Sequence, residues 1–236
     1  MRKLQVFGDL HGRSLWQDKL DVSAAKIIFL GDYVDEFALT DEQILDNLTA
    51  LLAFKQSNPE KVVLLWGNHD LAYLLPKTFS CSGYRPSYAR KVRKMLASNF
   101  ALFQAAYQQE NWLFTHAGLS RQFWQNELQG AGAEYAAALN EMFKYKFDRF
   151  ALASGYRGGA AEYGSIFWAD LREFVNADTW TPRPESWLGG LNQVVGHHPV
   201  SRKKTYEYAG SKMTWIDTWS YPYYKEDAVY WLLLPE

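Results

Sequence analysis

The sequence has few of the features that mark secreted, membrane-bound or nucleic-acid-binding proteins. Cys81 is the only cysteine in 236 residues, so no disulfide can form within the chain, and we expect a reducing, cytoplasmic setting. The first residues are too poor in apolar side chains for a signal peptide, and no apolar run approaches membrane-spanning length. The net charge is -1 without a long basic run, which argues against a nucleic-acid partner. Oligomeric state stays open at this point.

A recurring pattern indicates the fold class. Short apolar, β-favouring runs stop at a polar cluster that opens with glycine or histidine, as in Leu4 to Phe7, which runs into Gly8-Asp-Leu-His-Gly. The others are Ile27 to Leu30, Val62 to Trp66, Trp112 to Thr115 and Gln193 to Val195. Such runs are typical of buried strands. Helical segments between them, predicted over 40–56, 88–109 and 134–150, make this an α/β layered protein.

The chain is long enough for one large domain, and we predict that residues 1–236 form one. The segment of about 130–184 breaks the strand–helix rhythm with a glycine-rich stretch and a Thr181-Pro-Arg-Pro turn. We interpret it as an insertion that caps the functional face. Late strands are expected over 204–208, 213–217 and 228–234, the first two joined as a hairpin through Ala209-Gly-Ser.

The histidines indicate a metal site. All five follow predicted strand ends, together with three aspartates and one asparagine; the set is Asp9, His11, Asp32, Asp35, Asn68, His69, His116, His197 and His198. Ligands bind beyond the carboxyl ends of strands in such sheets, so these groups are expected to converge. Imidazole and carboxylate without thiolate suit divalent Mn, Fe or Zn and exclude a cysteine-type structural zinc site.

Spacing within two clusters suggests which side chains share an ion. Residues two apart in extended chain point the same way, so Asp9 and His11 are expected to face one ion. His197 and His198 are neighbours and point to opposite sides, so only one of them should bind metal. We assign His197 to the metal and leave His198 a supporting or substrate-facing role.

The ordered set of motifs resembles a known family. Gly8-Asp-Leu-His-Gly, Gly31-Asp-Tyr-Val-Asp, Gly67-Asn-His-Asp, His116-Ala-Gly-Leu and Gly196-His-His-Pro resemble the calcineurin-like metallophosphoesterases. Within that family they look closest to the phosphoprotein phosphatase branch and its bacterial and phage relatives. Trp168-Ala-Asp and Ile216-Asp-Thr resemble late segments of that branch. The fold that the resemblance implies is a sandwich of two β-sheets flanked by helices.

The resemblance also implies a chemistry. Two divalent metal ions, Mn or Fe in the first place and Zn as a third option, would be held by Asp9, His11, Asp32, Asn68, His116 and His197, with Asp32 bridging. A metal-bridging hydroxide would then attack a phosphate monoester. His69 matches the family's proton donor for the leaving group, and Asp35 matches the carboxylate that orients it.

One departure concerns phosphate recognition. The phosphatase branch follows its second motif with Arg-Gly, whereas this chain has Glu36 and Phe37. A carboxylate there repels phosphate unless it turns away, so another arginine is expected to compensate. Arg157, in a glycine-rich loop, is the first candidate, Arg13 the second and Arg172 the third.

Several functions remain open on the sequence. A phosphorylated substrate is expected, either a phosphoprotein cleaved by a Ser/Thr protein phosphatase or a nucleotide cleaved by a diadenosine-tetraphosphatase type of hydrolase. A diesterase is less favoured, because Pro199 stands where diesterase relatives commonly carry histidine. A non-catalytic metal-binding scaffold is the alternative from another class, and the His69–Asp35 pair speaks against it.

Overall fold

Two five-stranded sheets form the centre of the protein. A computed structural model describes residues 1–128, 132–219 and 229–234. The first sheet has the order β10-β1-β2-β3-β4, from Val229–Leu234, Arg2–Phe7, Lys26–Phe29, Val62–Leu65 and Phe103–Gln104. The second has the order β5-β6-β7-β9-β8, from Ala106–Gln109, Trp112–Thr115, Asn192–Val195, Ser211–Trp215 and Lys204–Tyr208.

Both sheets are mixed: each combines parallel strands with one or two antiparallel edge strands. β1, β2, β3 and β4 run parallel, and β10 is antiparallel to β1. In the second sheet β6, β7 and β9 run parallel, while β5 and β8 are antiparallel edge strands. The carboxyl ends of five parallel strands therefore carry the polar clusters of the sequence, which is the placement that the strand pattern predicted.

The layer between the sheets is apolar. One face of each sheet contributes to a single cluster that includes Val6, Ile28, Val63, Phe114 and Val194, all nearly inaccessible to solvent. Burying each such side chain contributes about 1.5–3 kcal/mol, so this interface fixes the relative position of the two sheets. The strand pattern predicted an α/β layered protein, and the architecture is the two-sheet sandwich flanked by helices that the family resemblance implied.

Six helices cover the outer faces in the described part of the chain. They are α1 to α6, over Asp41–Ser57, Asn68–Leu74, Pro86–Ser98, Arg121–Glu127, Tyr135–Tyr145 and Leu171–Phe174. α1 begins at the predicted capping box, because Thr40 and Gln43 cap each other's backbone amides. None of the helices in these ranges is long and apolar enough to cross a membrane.

Two of the predicted helices are too long. The helix expected over 88–109 ends at Ser98, and residues 103–109 form β4 and β5, which pair with β3 and β6. Pairing with a neighbouring strand outweighs helix propensity there, since propensity is a weak prior. The helix expected over 134–150 ends at Tyr145 and continues as a short 3-10 turn. The predicted hairpin is confirmed by the pairing of Tyr208 with Ser211, and Ala228 of the last predicted strand lies outside the described residues.

Candidate metal centre

Five loops bring their polar side chains to one place. Asp9 and His11 follow β1, Asp32 and Asp35 follow β2, and Asn68 and His69 open α2 directly after β3. From the second sheet, His116 follows β6 and His197 follows β7. Most of these side chains are buried, and together with Trp168, Arg157 and Glu36 they form or adjoin a cavity of about 290 Å³. The sequence prediction that these loops meet agrees with the structure.

The backbone at this site is unusual. His11, Asp32, Asp35 and His197 all have positive φ, at 45°, 53°, 71° and 60°. A residue other than glycine held there costs on the order of 1–3 kcal/mol, so it persists only where surrounding contacts fix it. His11, for example, donates its backbone N–H to Asp32 O at 2.7 Å. His11 therefore reaches the site through a left-handed turn and not, as the spacing argument assumed, through extended chain.

Glycines allow the loops to approach each other. A Cβ on Gly196 would lie 1.9 Å from Oδ1 of Asp9, and a Cβ on Gly67 would lie 2.1 Å from Oδ1 of Asp32. These close approaches explain why glycine precedes the chemistry-bearing residue in both motifs. Asp9 accepts the backbone N–H of His197 at 3.0 Å through both of its oxygens, which joins the first sheet to the second.

Two groups of ligand atoms share one residue. Asp9, His11 and Asp32 place one ligand atom each within 4.8 Å of one another, and Asp32, His116 and His197 do the same. Oδ2 of Asp32 is 3.4 Å from Nε2 of His116 and 3.9 Å from Nε2 of His11. Asp32 is thus the residue common to both groups, the position expected of a ligand that bridges two ions.

The donor chemistry of the second group fits a cation. Nδ1 of His116 lies 2.9 Å from the carbonyl oxygen of Leu30, and a carbonyl only accepts, so Nδ1 carries the proton. Nε2 of His116 lies 2.8 Å from Oδ1 of Asn68 and 3.1 Å from Nδ1 of His197, and these last two atoms are 2.9 Å apart. With these two ring nitrogens unprotonated, the three atoms would offer their lone pairs to one cation, and the carbonyl contact is the orienting bond that metal-binding histidines usually make.

The first group has the same design. Nδ1 of His11 lies 3.0 Å from Val34 O, which turns Nε2 toward Asp9 and Asp32. Burial and the neighbouring His69 lower the pKa of His11 to about 4, so its ring is neutral near pH 7. Burial, Arg157 and His116 lower the pKa of His197 as well. Neutral imidazole is the form that binds metal.

The buried carboxylates at the centre of the site raise the pKa of His116. Burial alone would lower the pKa of His116, but the Asp32 and Asp9 carboxylates raise it to about 9. Burial and the nearby Asp217 raise the pKa of Asp9. The buried carboxylates therefore form a field that attracts positive charge, whether a proton or a cation.

Asp70 is a structural residue that the sequence prediction missed. Its carboxylate accepts the backbone N–H groups of Asp32, Tyr33 and Gly67 at 2.9–3.0 Å. It thereby ties the loop after β2 to the start of α2. Its place as the fourth residue of Gly67-Asn-His-Asp was the available signal.

His69 and Asp35 form a pair beside the metal ligands. Nδ1 of His69 is 2.9 Å from Oδ2 of Asp35, and Nε2 of His69 is 3.9 Å from Oδ2 of Asp32. Burial opposes protonation of His69, but the charge of Asp32 and the bond to Asp35 raise its pKa well above the ordinary value. The pair has the geometry of a proton donor with its orienting carboxylate.

The arginine candidates lie in different surroundings. Arg157 lines the cavity, with Nε 2.8 Å from Asp170 Oδ2 and Nη2 3.0 Å from Nδ1 of His198. Arg13 forms an ion pair with Glu36. Arg172 binds Asp170 and lines a separate cavity. His198 lies 3.4 Å from Asp170, apart from the converging ligand atoms.

This two-sheet fold and this set of buried imidazole and carboxylate groups define a class of metal-dependent hydrolase. The chain belongs to the calcineurin-like phosphoesterase family, whose sequence model matches residues 3–231. It is therefore a metal-dependent phosphoesterase. Of the alternatives that the sequence left open, membership of this family favours an enzyme over a non-catalytic scaffold.

Solved structures of the same fold include two phosphatases. One is the cold-active protein tyrosine phosphatase of a psychrophilic Shewanella species, with TM-score 0.54, 16% identity, and coverage of 90% of this chain and 70% of that one. Another is a protein serine/threonine phosphatase from Saccharomyces cerevisiae, described as similar to human phosphatase PP5. Its TM-score is 0.54 and its identity 18%, with coverage of 91% and 67%. At these identities the likeness concerns the fold.

Proposed function

We propose that this protein hydrolyses phosphate monoesters with two divalent cations. The observation that carries the proposal is Asp32, shared by two groups of buried ligand atoms and facing the His69–Asp35 pair. Asp9, His11 and Asp32 would hold one cation, and Asp32, Asn68, His116 and His197 the other. Bound there, two such cations supply a water of lowered pKa and neutralise the phosphoryl oxygens.

The protein's own residues divide the remaining work. His69 lies at hydrogen-bonding reach of Asp35 through Nδ1, so its Nε2 is free to give a proton to the leaving oxygen. The protonated form of His69 is favoured by the charge of Asp32 and by Asp35. A cation on Asp32 would offset the charge of that residue, which leaves Asp35 as the carboxylate that keeps His69 protonated.

Arg157 is the residue that we assign to substrate phosphate. Its guanidinium lines the cavity next to His197; Nη2 makes a hydrogen-bond contact with Nδ1 of His198 at 3.0 Å, and Nε forms an ion pair with Asp170 at 2.8 Å without hydrogen-bond geometry. A guanidinium anchored in this way presents its remaining N–H groups in a fixed orientation, which suits a phosphoryl oxygen. Glu36 also lines the cavity, but Arg13 neutralises it.

The roles of Arg13 and His198 at the substrate stay predictions. The guanidinium of Arg13 is engaged by Glu36, so its support for phosphate binding is indirect in this arrangement. His198 contacts Arg157 and Asp170 and would help to hold Arg157 in place.

The segment of residues 130–184 is proposed to complete the substrate side of a single domain. Arg157 and Trp168, both from this segment, line the cavity beside ligands that come from the two sheets. This contribution supports its interpretation as a capping insertion.

A second candidate substrate is a dinucleoside polyphosphate. Phe37 favours it, because this residue is 72% exposed and lines the same cavity, where a nucleobase could stack on its ring. A substrate panel of phosphopeptides and dinucleoside polyphosphates separates this candidate from a protein phosphatase.

The test of the proposed function combines metal content with turnover. Protein supplied with Mn²⁺, Fe²⁺ or Zn²⁺ is expected to bind two ions per chain and to hydrolyse p-nitrophenyl phosphate. Asp32→Asn is expected to lose both properties, because the residue serves both groups. Wild-type protein without bound metal, or full activity in Asp32→Asn, contradicts the ligand assignment.

A further inference from the structure

The Asp35 carboxylate has more hydrogen-bond donors than a simple His–Asp pair requires. Its side chain is fully buried. Oδ2 accepts from His69 Nδ1 at 2.9 Å and from Cys81 Sγ at 3.4 Å. Oδ1 accepts from the hydroxyls of Tyr73 and Tyr88, at 2.5 and 2.7 Å. Tyr73, Cys81 and Tyr88 come from α2, the following loop and α3, and none of them belongs to a family motif that the sequence displayed.

Each tyrosine hydroxyl also accepts a hydrogen bond from the backbone, which holds its oxygen in place beside the carboxylate. The Tyr73 oxygen accepts the backbone N–H of Arg85 at 2.7 Å, and the Tyr88 oxygen accepts the backbone N–H of Asp35 at 3.2 Å. The two hydroxyls also contact each other, and the carboxylate, which as an anion only accepts, is the charged acceptor that both of them face. Packing of the Tyr73 ring against Tyr84, with centroids 4.5 Å apart, limits its rotation.

The three donors are neutral, and this determines what they do. Hydrogen bonds from hydroxyl and thiol groups stabilise a buried carboxylate while leaving its full negative charge, whereas a guanidinium would cancel it. Burial raises the pKa of Tyr73, Cys81 and Tyr88, so all three remain protonated donors near pH 7. For Cys81 this also means a thiol and not the reactive thiolate of a redox sensor.

We propose that Tyr73, Tyr88 and Cys81 are positioning residues that fix the Asp35 carboxylate, and through it the His69 ring, for protonation of the leaving group. This inference rests on the proposed phosphoesterase function. Without the cage of donors the carboxylate can rotate about its Cα–Cβ bond or attract water, and His69 loses the orientation of its Nε2. The phosphoryl side of the reaction, which depends on the metal ligands and Arg157, is left intact.

The test uses leaving groups of different acidity. Phenyl phosphate releases a phenoxide that needs a proton, since phenol has a pKa of about 10, whereas 2,4-dinitrophenolate is a stable anion that does not. In Tyr73→Phe/Tyr88→Phe, kcat for phenyl phosphate is expected to fall at least about tenfold, because each lost bond is one to a charged group. The kcat for 2,4-dinitrophenyl phosphate is expected to change less than about twofold.

Further variants provide controls. Cys81→Ser keeps a donor and is expected to retain more of the phenyl phosphate activity than Cys81→Ala, in the pattern of a rescue by the conservative change. Tyr107→Phe removes a hydroxyl that bonds Gln109 at 2.7 Å on β5, away from the site, and should leave both substrates unaffected. Bound metal and melting temperature are measured for every variant.

The outcomes separate this inference from the function on which it depends. If wild-type protein hydrolyses neither substrate, the proposed function fails. If His69→Asn lowers phenyl phosphate turnover selectively and the tyrosine double variant does not, only the positioning role is overturned. An equal loss on both substrates, with metal retained, also overturns it, because it indicates general damage.

Discussion

Two buried carboxylates beside the same cavity are stabilised in opposite ways. Asp35 is surrounded by neutral donors and one histidine; we call Asp35, His69, Tyr73, Cys81 and Tyr88 the Asp35 cluster. Asp170 is surrounded by two arginines and one histidine; we call Asp170, Arg157, Arg172 and His198 the Asp170 cluster. The first arrangement preserves a negative charge, and the second creates an excess of positive charge.

The difference matches two needs of phosphate ester hydrolysis. The Asp35 cluster directs negative charge at His69, which favours the protonated ring that a leaving group requires. Burial would raise the pKa of Asp170, but His198, Arg172 and Arg157 lower it well below the ordinary value. Asp170 is therefore a permanent anion whose function is to hold guanidinium groups, one of them at the cavity wall.

The largest expected effect comes from removing the charge of the Asp35 cluster. Asp35→Asn keeps the size of the side chain but brings an amide N–H₂ toward groups that are themselves donors. We expect kcat for phenyl phosphate to fall by about 100- to 10,000-fold, the full contribution of a general acid. Steady-state kinetics with metal content as a control checks this. Unchanged kcat at full metal occupancy would show that Asp35 does not serve His69.

The contrast between the clusters explains what the sequence could and could not predict. Local sequence pattern is enough to predict His11, Asp32, His116 and His197. Each follows a strand end by a few residues, and parallel strands converge at one edge. The fold class followed from the same strands. Tyr73, Cys81 and Tyr88 acquire their role only when α2 and α3 pack around Asp35, and no spacing within the sequence encodes that packing.

The Asp170 cluster was recognised only in part. The glycine-rich loop indicates Arg157, and Asp170 belongs to the Trp168-Ala-Asp segment, but no local pattern connects the two residues, which pair only in the folded protein. Likewise, the sequence predicts that another arginine compensates for Glu36, with Arg13 as a candidate for binding phosphate itself. The ion pair of these two residues depends on the loops after β1 and β2 meeting in space.

The second prediction concerns the Asp170 cluster and its contribution to the free energy of unfolding. Asp170→Asn leaves Arg157 and Arg172 without their anion, and breaking a buried ion pair costs about 3 kcal/mol or more of the free energy of unfolding. Arg172 is partly exposed, which places the effect at the lower end of that range. Urea unfolding measures it. An equally stable Asp170→Asn protein would mean that the cations are compensated by solvent and not by Asp170.

The contribution of Asp170 to the free energy of unfolding should depend on pH, and the lowered pKa determines the direction of that dependence. The pKa of Asp170 is lower in the folded protein than the 3.8 of the free side chain, so its contribution is complete above about pH 4 and is lost as pH falls below that value. The free energy of unfolding should therefore decline less steeply with acid in Asp170→Asn than in the wild type. Parallel slopes for the two proteins would contradict this.

A smaller effect is expected for Arg157, which links the Asp170 cluster to the cavity. Arg157→Ala removes charge-assisted hydrogen bonds to phosphate, worth about 1.5–3 kcal/mol, so kcat/KM should fall roughly 10- to 100-fold, largely through KM. Arg172→Ala is the matched control, since it also binds Asp170 but lines another cavity. Its effect on kcat/KM should be several-fold smaller. Equal losses in both variants would indicate that Asp170 and not phosphate contact determines the result.

The smallest expected effect concerns Phe37. It tests whether the two clusters contact different parts of the substrate. Phe37 lies on the side of the Asp35 cluster, because a Cβ placed on Gly83 would lie 3.3 Å from the Phe37 ring and 3.6 Å from Cβ of Asp35. If the Asp35 cluster serves the leaving group and Arg157 serves the phosphoryl group, Phe37 contacts the leaving group alone. Phe37→Ala should then raise KM a few-fold for dinucleoside polyphosphates, whose bases can stack on the ring, by about 0.5–1.5 kcal/mol.

The same variant should leave other properties unchanged. The ring is mostly exposed, so the free energy of unfolding should shift by less than about 0.5 kcal/mol. KM for a phosphoserine peptide with small side chains near the phosphate should stay constant. A rise in KM for both substrates would place Phe37 at the phosphoryl group and would remove the division between the clusters. A rise for neither would leave the aromatic ring without a role in selecting the substrate, and the phosphoprotein would then be the favoured substrate because it needs no aromatic contact.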